Sequence, residues 1–301
     1  MLAGHKIRPN EVHTVNRILS IAALLAFSTA AFAARVADGN FDRTFSVSSQ
    51  PDLYVATGSG SIRVHPGSGS QVHIVGHVHA SWSAFGDVNS RIQHIVDNPP
   101  ITQSGNAVHI GEVSDRELFN NISIDYEITA PADVALNLRS GSGDIEVDNV
   151  GRFLSASSGS GSVRAHGVHG PATLDTGSGD IELEEQAAGD VKARTGSGSI
   201  RIHNLNGSFN SKTGSGDIEA DGNLVGAGSV TTGSGSVRLH IAPSSHFSFE
   251  GSTGSGDIRV SFPGAPEQDA RSRHHLTASI NGGGPPLVIH TGSGDINVTP
   301  R

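Results

Sequence analysis

Short bursts of alternating apolar and polar residues run along most of this chain, two bursts to a repeat, with a glycine-rich corner between them. After the corner come pairs such as Ile181 and Leu183, Ile200 and Ile202, and Val237 and Leu239, separated by charged residues. Before it come Leu154 and Ala156, Ala172 and Leu174, Val191 and Ala193, and Phe209 and Ser211. A period of two predicts strands with one face buried. Most pairs set a bulky residue beside a small one, as a narrow interior requires when large side chains of one layer need room in the next.

The corner recurs at Gly58 (GSGSIRV), Gly141 (GSGDIEV), Gly159, Gly177, Gly196, Gly214, Gly233, Gly254 and Gly292. From Gly141 to Gly254 the steps are 18, 18, 19, 18, 19 and 21 residues. A fixed step of this size signals a solenoid. The expected fold is all-β: a parallel β-solenoid, or β-helix, of stacked rungs about 18–19 residues long. Gly tolerates positive φ and has no Cβ, so a tight corner can repeat from rung to rung.

The outward residues carry a code of their own. One column reads Glu146, Arg164, Glu182, Arg201, Glu219, Arg238, and the next reads Asp148, His166, Glu184, His203, Asp221, His240. A third alternates Asp144, Ser162, Asp180, Ser199, Asp217, Ser236. With rungs in register about 4.8 Å apart, each acid sits between basic or titratable neighbours. A slip of one rung would stack like on like, so this structural charge ladder specifies register.

Around the regular part, residues 141–262, the pattern loosens. Residues 34–140 are read as an N-terminal β cap with irregular first rungs, with strands at Thr44–Val47, Leu53–Val55, Ile62–Val64, Val72–Val78, Ala107–Ile110, Ile122–Ile128 and Val134–Leu138. From Phe85 to Val96, the apolar residues Phe85, Val88, Ile92 and Ile95 fall at helical spacing, which predicts a short amphipathic helix or a turn. Residues 263–286 are read as a loop insertion, and 287–301 as a looser terminal rung following the regular ones.

Residues 1–33 read as a signal peptide: Lys6, Arg8 and Arg17 precede the apolar run Ile18–Phe27, and Ala31-Phe32-Ala33 offers a cleavage site before Ala34. Without this leader, the net charge of −9 becomes −11, which disfavours nucleic acid and anionic lipid as partners. No second apolar stretch predicts a membrane span in the mature chain. The 301 residues contain no cysteine, so disulfides, thiol catalysis and cysteine-ligated zinc are excluded, and stability must come from repetition.

The T-G-S-G-D-I motif, the stretch I-D-Y-E-I-T-A-P-A-D-V-A-L-N-L from Ile124 to Leu138, and the tail L-V-I-H-T-G-S-G-D-I-N-V from Leu287 to Val298 resemble the adhesin domain family of exported bacterial proteins, a domain of unknown function. They are also similar to the related head domain of autotransporter adhesins. The resemblance covers essentially the whole mature chain. It implies a β-solenoid fold, and it supplies no catalytic set to carry over.

No catalytic residues are assigned, because the carboxylates recur evenly instead of forming a singular pair at hydrolase spacing. A calcium ladder is disfavoured by the Ser that alternates with Asp. His73, His77 and His79 share one strand face and are the metal candidates, weighed against the alternative of solvated strand-face histidines. No cofactor is expected. The reading is a non-enzymatic, exported binding or scaffolding module at the periplasm, cell surface or extracellular space. Its partner is an envelope or surface glycan or protein, or another copy of itself. The alternatives are a self-assembling envelope scaffold and a carbohydrate-active β-helix enzyme.

Overall fold

Alternation becomes strand along nearly the whole chain. The computed structural model describes residues 38–81, 87–112, 117–262 and 274–301, all within one unit spanning Val36–Arg301. The expected leader and cleavage point, Phe85, and residues 263–273 of the expected loop lie outside the described residues.

The first elements are β1 (Asp38–Ser46), β2 (Asp52–Thr57), β3 (Ile62–Gly67), β4 (Gln71–Ala80), helix α1 (Val88–Asp97), β5 (Ile101–Ser104), β6 (Ala107–Ile110) and β7 (Ile122–Pro131). The regular rungs follow as β8 (Ala135–Ser140), β9 (Ile145–Asp148), β10 (Phe153–Ser158), β11 (Val163–Val168), β12 (Ala172–Thr176), β13 (Ile181–Glu185) and β14 (Val191–Thr195). The long β15 (Ile200–Thr213) and β16 (Ile218–Thr232) lead to β17 (Val237–Ile241), β18 (Phe247–Thr253), β19 (Ile258–Val260), β20 (His275–Ile280), β21 (Pro286–Thr291) and β22 (Ile296–Pro300).

The arrangement is all-β and solenoid-like, with two ladders sharing one apolar core. One ladder runs β1, β4, β7, β3, β9, β11, β13, the first half of β15, the first half of β16, β17, β22, β19. The other runs β5, β6, β2, β8, β10, β12, β14, the second half of β15, the second half of β16, β21, β18, β20. Pairing is parallel except at the ends, where β1–β4, β4–β7, β5–β6 and β18–β20 are antiparallel. Helix α1 turns Ile92 and Ile95 inward.

Two placements differ from the expectation. The last segment does not follow the regular rungs: β21 and β22 insert between the β16–β17 layer and the β18–β19 layer. Likewise β2 and β3, although early in the chain, lie between β6–β7 and β8–β9. The expected loop at 263–286 contains strand β20, which covers β18 in antiparallel register. A loop was the natural reading because Gly and Pro crowd both sides of that strand.

The corner has a different physical reason from conformational freedom alone. Among the repeated corner glycines, only Gly256 and Gly294 have positive φ. The constraint is stacking: a Cβ on Gly177 would collide with the Gly159 carbonyl oxygen, and one on Gly179 with the Gly161 carbonyl oxygen. The residue before each corner is always Ser or Thr, and it is buried along most of the stack. Thr176 Oγ1 donates to the Gly161 carbonyl at 2.7 Å and accepts from the Gly179 amide at 3.2 Å. Ser140, Ser158, Thr195 and Thr213 repeat both bonds in their own layers. One hydroxyl thus satisfies a donor and an acceptor that the corner would otherwise bury unpaired.

Candidate functional site

The outward columns stand on the first ladder. Arg164 is register partner of both Glu146 and Glu182, and Glu182 of Arg201. Glu219 lies between Arg201 and Arg238. The column continues in space beyond the stretch where the chain order shows it. Arg63 lies between Glu127 and Glu146, and the inserted Asn297 separates Arg238 from Arg259. Two arginines that would meet if layers followed chain order are therefore kept apart.

Side chains do not simply pair along their own column. Arg63 reaches Glu146 at 3.4 Å, but Arg164 turns to Asp144 at 3.5 Å and Arg238 to Asp217 at 3.2 Å. In the next column, His65 meets Asp148 at 3.1 Å, His166 meets Glu184 at 3.6 Å and His203 meets Asp221 at 3.4 Å. His240 instead takes the Thr299 hydroxyl at 2.9 Å. These groups are half exposed, so each pair contributes on the order of 0–1 kcal/mol.

The metal candidates are drawn apart by β1. His73 contacts Asp42 at 2.8 Å, His77 contacts Asn40 at 3.0 Å, and His79 contacts Asp38 at 2.9 Å, with Asp125 at 3.5 Å on its other side. Each imidazole has a different partner across the strand pair. Among the described residues, no three His or acidic side chains converge as a metal site.

One place on the first ladder departs from the layers on either side of it. The layers of β9, β11 and β15 carry an extra residue just before their last inward side chain, in left-handed conformation: Asn149 (φ 50°), Gly167 (φ 66°) and Asn204 (φ 58°). The registers show what it does, since Val168 pairs with Glu185, and Leu205 with Gly222, only after a shift. Strand β13 lacks the extra residue and runs straight from Glu184 to Glu185. The gap is a recess of about 510 Å³ lined by Asn149, Gly167, Asn204, Glu184, Glu185 and their neighbours.

Glu185 is also a chemical exception. It continues the inward alternation of Ile181 and Leu183, in a column where other layers place Val150, Val168, Leu205 and Ile241. It is only 3% exposed. Its Oε2 accepts from the Asn206 amide at 3.0 Å, while buried Oε1 has no hydrogen-bond partner. Burial pushes the pKa up to about 7; Asp190 pushes the same way, and the Asn206 amide opposes. An unpaired buried acceptor costs on the order of 1–3 kcal/mol. Nearby, Asn204 donates to Glu184 at 3.5 Å and accepts from Arg301 at 3.1 Å.

Sequence reasoning passed over Glu185 although its signal was present. In Ile181-Glu182-Leu183-Glu184-Glu185 the alternation places the fifth residue inside. Reading Glu184 as part of the outward code absorbed the doublet and hid its second member.

Among known proteins, the family model described as Toastrack DUF4097 matches residues 68–299. No curated protein sequence matches the chain. Two solved structures are similar in outline. One is a candidate adhesin from Bacteroides fragilis, 11% identical, with a TM-score of 0.43, covering 86% of this chain and 97% of that one. The other is a candidate cell adhesion protein from Clostridium sporogenes, 13% identical, with a TM-score of 0.29, covering 87% of this chain and 100% of that one. At these scores neither likeness bears on function.

Proposed function

The chain belongs to the Toastrack DUF4097 family, and from that premise we propose that it is an exported, non-enzymatic binding module of the cell envelope or surface, built as a parallel β-solenoid. The supporting observation is the first ladder's outer face, where charged and polar side chains recur layer upon layer, interrupted at the Glu185 recess. A rigid lattice of this kind presents side chains at fixed spacing to an extended partner, a glycan or a protein, with little ordering left to do on binding. Export fits the leader-like first 33 residues. Among the described residues no helix is long and apolar enough to cross a membrane.

The hydrolase alternative is weaker. Among the described residues Glu185 is the one carboxylate with a raised pKa; Glu184 reaches the rim of the same recess, but Glu185 is turned inward and is only 3% exposed. Two carboxylates flanking one scissile bond are not arranged that way. End-to-end self-assembly is disfavoured too, because antiparallel strands interrupt parallel stacking at both ends.

The test is sedimentation of the purified protein with isolated envelope fractions from its own cells, beside fractionation of those cells. Saturable binding and recovery outside the cytoplasm are expected. Purely cytoplasmic recovery, or the absence of saturable binding, would refute the reading.

A further inference from the structure

The recess beside Glu185 has the features of a seat for a ligand. A buried acceptor, Glu185 Oε1, waits without a donor. It belongs to a 3% exposed side chain that lines the cavity. The carboxamides of Asn149, Gln186 and Asn206 also line the cavity, and they make no side-chain hydrogen bond among the described residues. Glu184 and His166 complete the rim. Nothing in the packing of the coil calls for an acid here, since Val168 and Leu205 fill the same inward position in neighbouring layers.

The lining discriminates between ligand classes. A carboxylate accepts hydrogen bonds and cannot donate, whereas a carboxamide does both. A divalent cation such as calcium would use acceptors alone and would need six or more oxygens; among the described residues no three acidic or His side chains converge. A ring bearing several hydroxyls matches the mixture, each hydroxyl donating to a carboxylate or accepting from a carboxamide. The volume, about 510 Å³, lies within the usual range for small-molecule pockets, about 300–1,000 Å³.

We propose that this recess binds a single saccharide unit, with Glu185 Oε1 accepting a hydrogen bond from one hydroxyl and the carboxamides of Asn149, Gln186 and Asn206 contacting the others. The proposal rests on the reading of the chain as a binding module and names one ligand class and its place. The neighbouring layers present the outward columns around the mouth, so a longer glycan held by one unit here would run along the ladder face.

The test is titration of the ¹⁵N-labelled protein with D-glucose, D-galactose, D-mannose, N-acetyl-D-glucosamine and D-glucuronate, each to tens of millimolar, followed by two-dimensional NMR. At least one sugar should saturably shift the Gln186 and Asn206 backbone amides and the Asn149 side-chain amide. Glu185→Leu restores the apolar column and should fold at least as well as the parent, which a thermal melt verifies. At pH 8, above the raised pKa of Glu185, it should weaken the binding by about tenfold or more, the loss expected for a hydrogen bond to a charged group. The assignment is overturned by silence from every sugar, by a shift that survives Glu185→Leu, or by calcium chloride moving these resonances where sugars do not. The titration uses isolated protein and free sugars, so its failure leaves envelope binding standing, and failure of envelope binding leaves the titration result intact.

Discussion

The hydroxyl-lined corner and the Glu185 recess are built from the same rungs and obey opposite rules. At the corner the hydroxyl answers both buried backbone groups through the central layers: Thr176 satisfies the Gly161 carbonyl and the Gly179 amide, and its counterparts repeat this above and below. At the recess one residue is missing from the layer, an acid occupies an apolar column, and an oxygen is left without a partner. The first arrangement is repeated because it stabilises; the second combines a buried acid with an unpaired oxygen and destabilises. An unfavourable local choice inside an otherwise consistent fold is where function is to be sought.

That contrast can be broken most severely at the corner. Gly179→Val would drive side-chain atoms into the backbone of the layer below, where no flexible group can yield. A loss of about 4 kcal/mol or more is expected, enough to unfold the central layers, and denaturant melts of the variant would show it. A near-parental midpoint would mean that the layers are not stacked as described.

Glu185→Leu should act in the opposite direction. An acid whose pKa rises on folding, here from 4.5 to about 7, contributes its full stability below the lower value. That contribution fades as pH climbs through the higher one, because the unfolded chain has already released the proton. The variant should therefore exceed the parent by about 3 kcal/mol at pH 8, with the advantage shrinking towards pH 4, as thermal melts at several pH values will show. A pH-independent difference would contradict the raised pKa.

Thr176→Val keeps the shape but removes the hydroxyl from two buried backbone groups. The expected loss is about 2 kcal/mol, with faster hydrogen exchange at the Gly179 amide. The smallest effect belongs to the outward columns. Arg238→Ala removes its contact with Asp217 between two half-exposed side chains and should cost about 0.5 kcal/mol, less in high salt. A double-mutant cycle with Asp217→Ala isolates the pair, and coupling well above 1 kcal/mol would show that the ladder stabilises and does not merely set register.

Much of this was legible in the chain. The alternation around Ile181, Ile200 and Val237 marked the strands, and the step between corner glycines marked which residues face one another, as with Glu182 and Arg201. The short helix was readable from Ile92 and Ile95. Strand β20 was not, because its outward residues are polar and its flanks are rich in Gly and Pro. The histidine partners Asp38, Asn40 and Asp42 were not either, since antiparallel pairing brings them from about thirty to forty positions away. Glu185 was readable in principle from period two alone.

What the sequence determined by itself was the rung: its two strands, its inward and outward sides, and its corner, because these depend on residues close together in the chain. What only the tertiary structure decided was the order of the rungs. Every layer shows much the same apolar pattern to its neighbours, so burial alone cannot say which one lies above which. The answer came from contacts between distant segments: β22 seats neutral Asn297 between Arg238 and Arg259, and β3 seats Arg63 between Glu127 and Glu146. The recess arises in the same way, because a missing residue in one layer becomes a cavity only when complete layers lie on both sides of it.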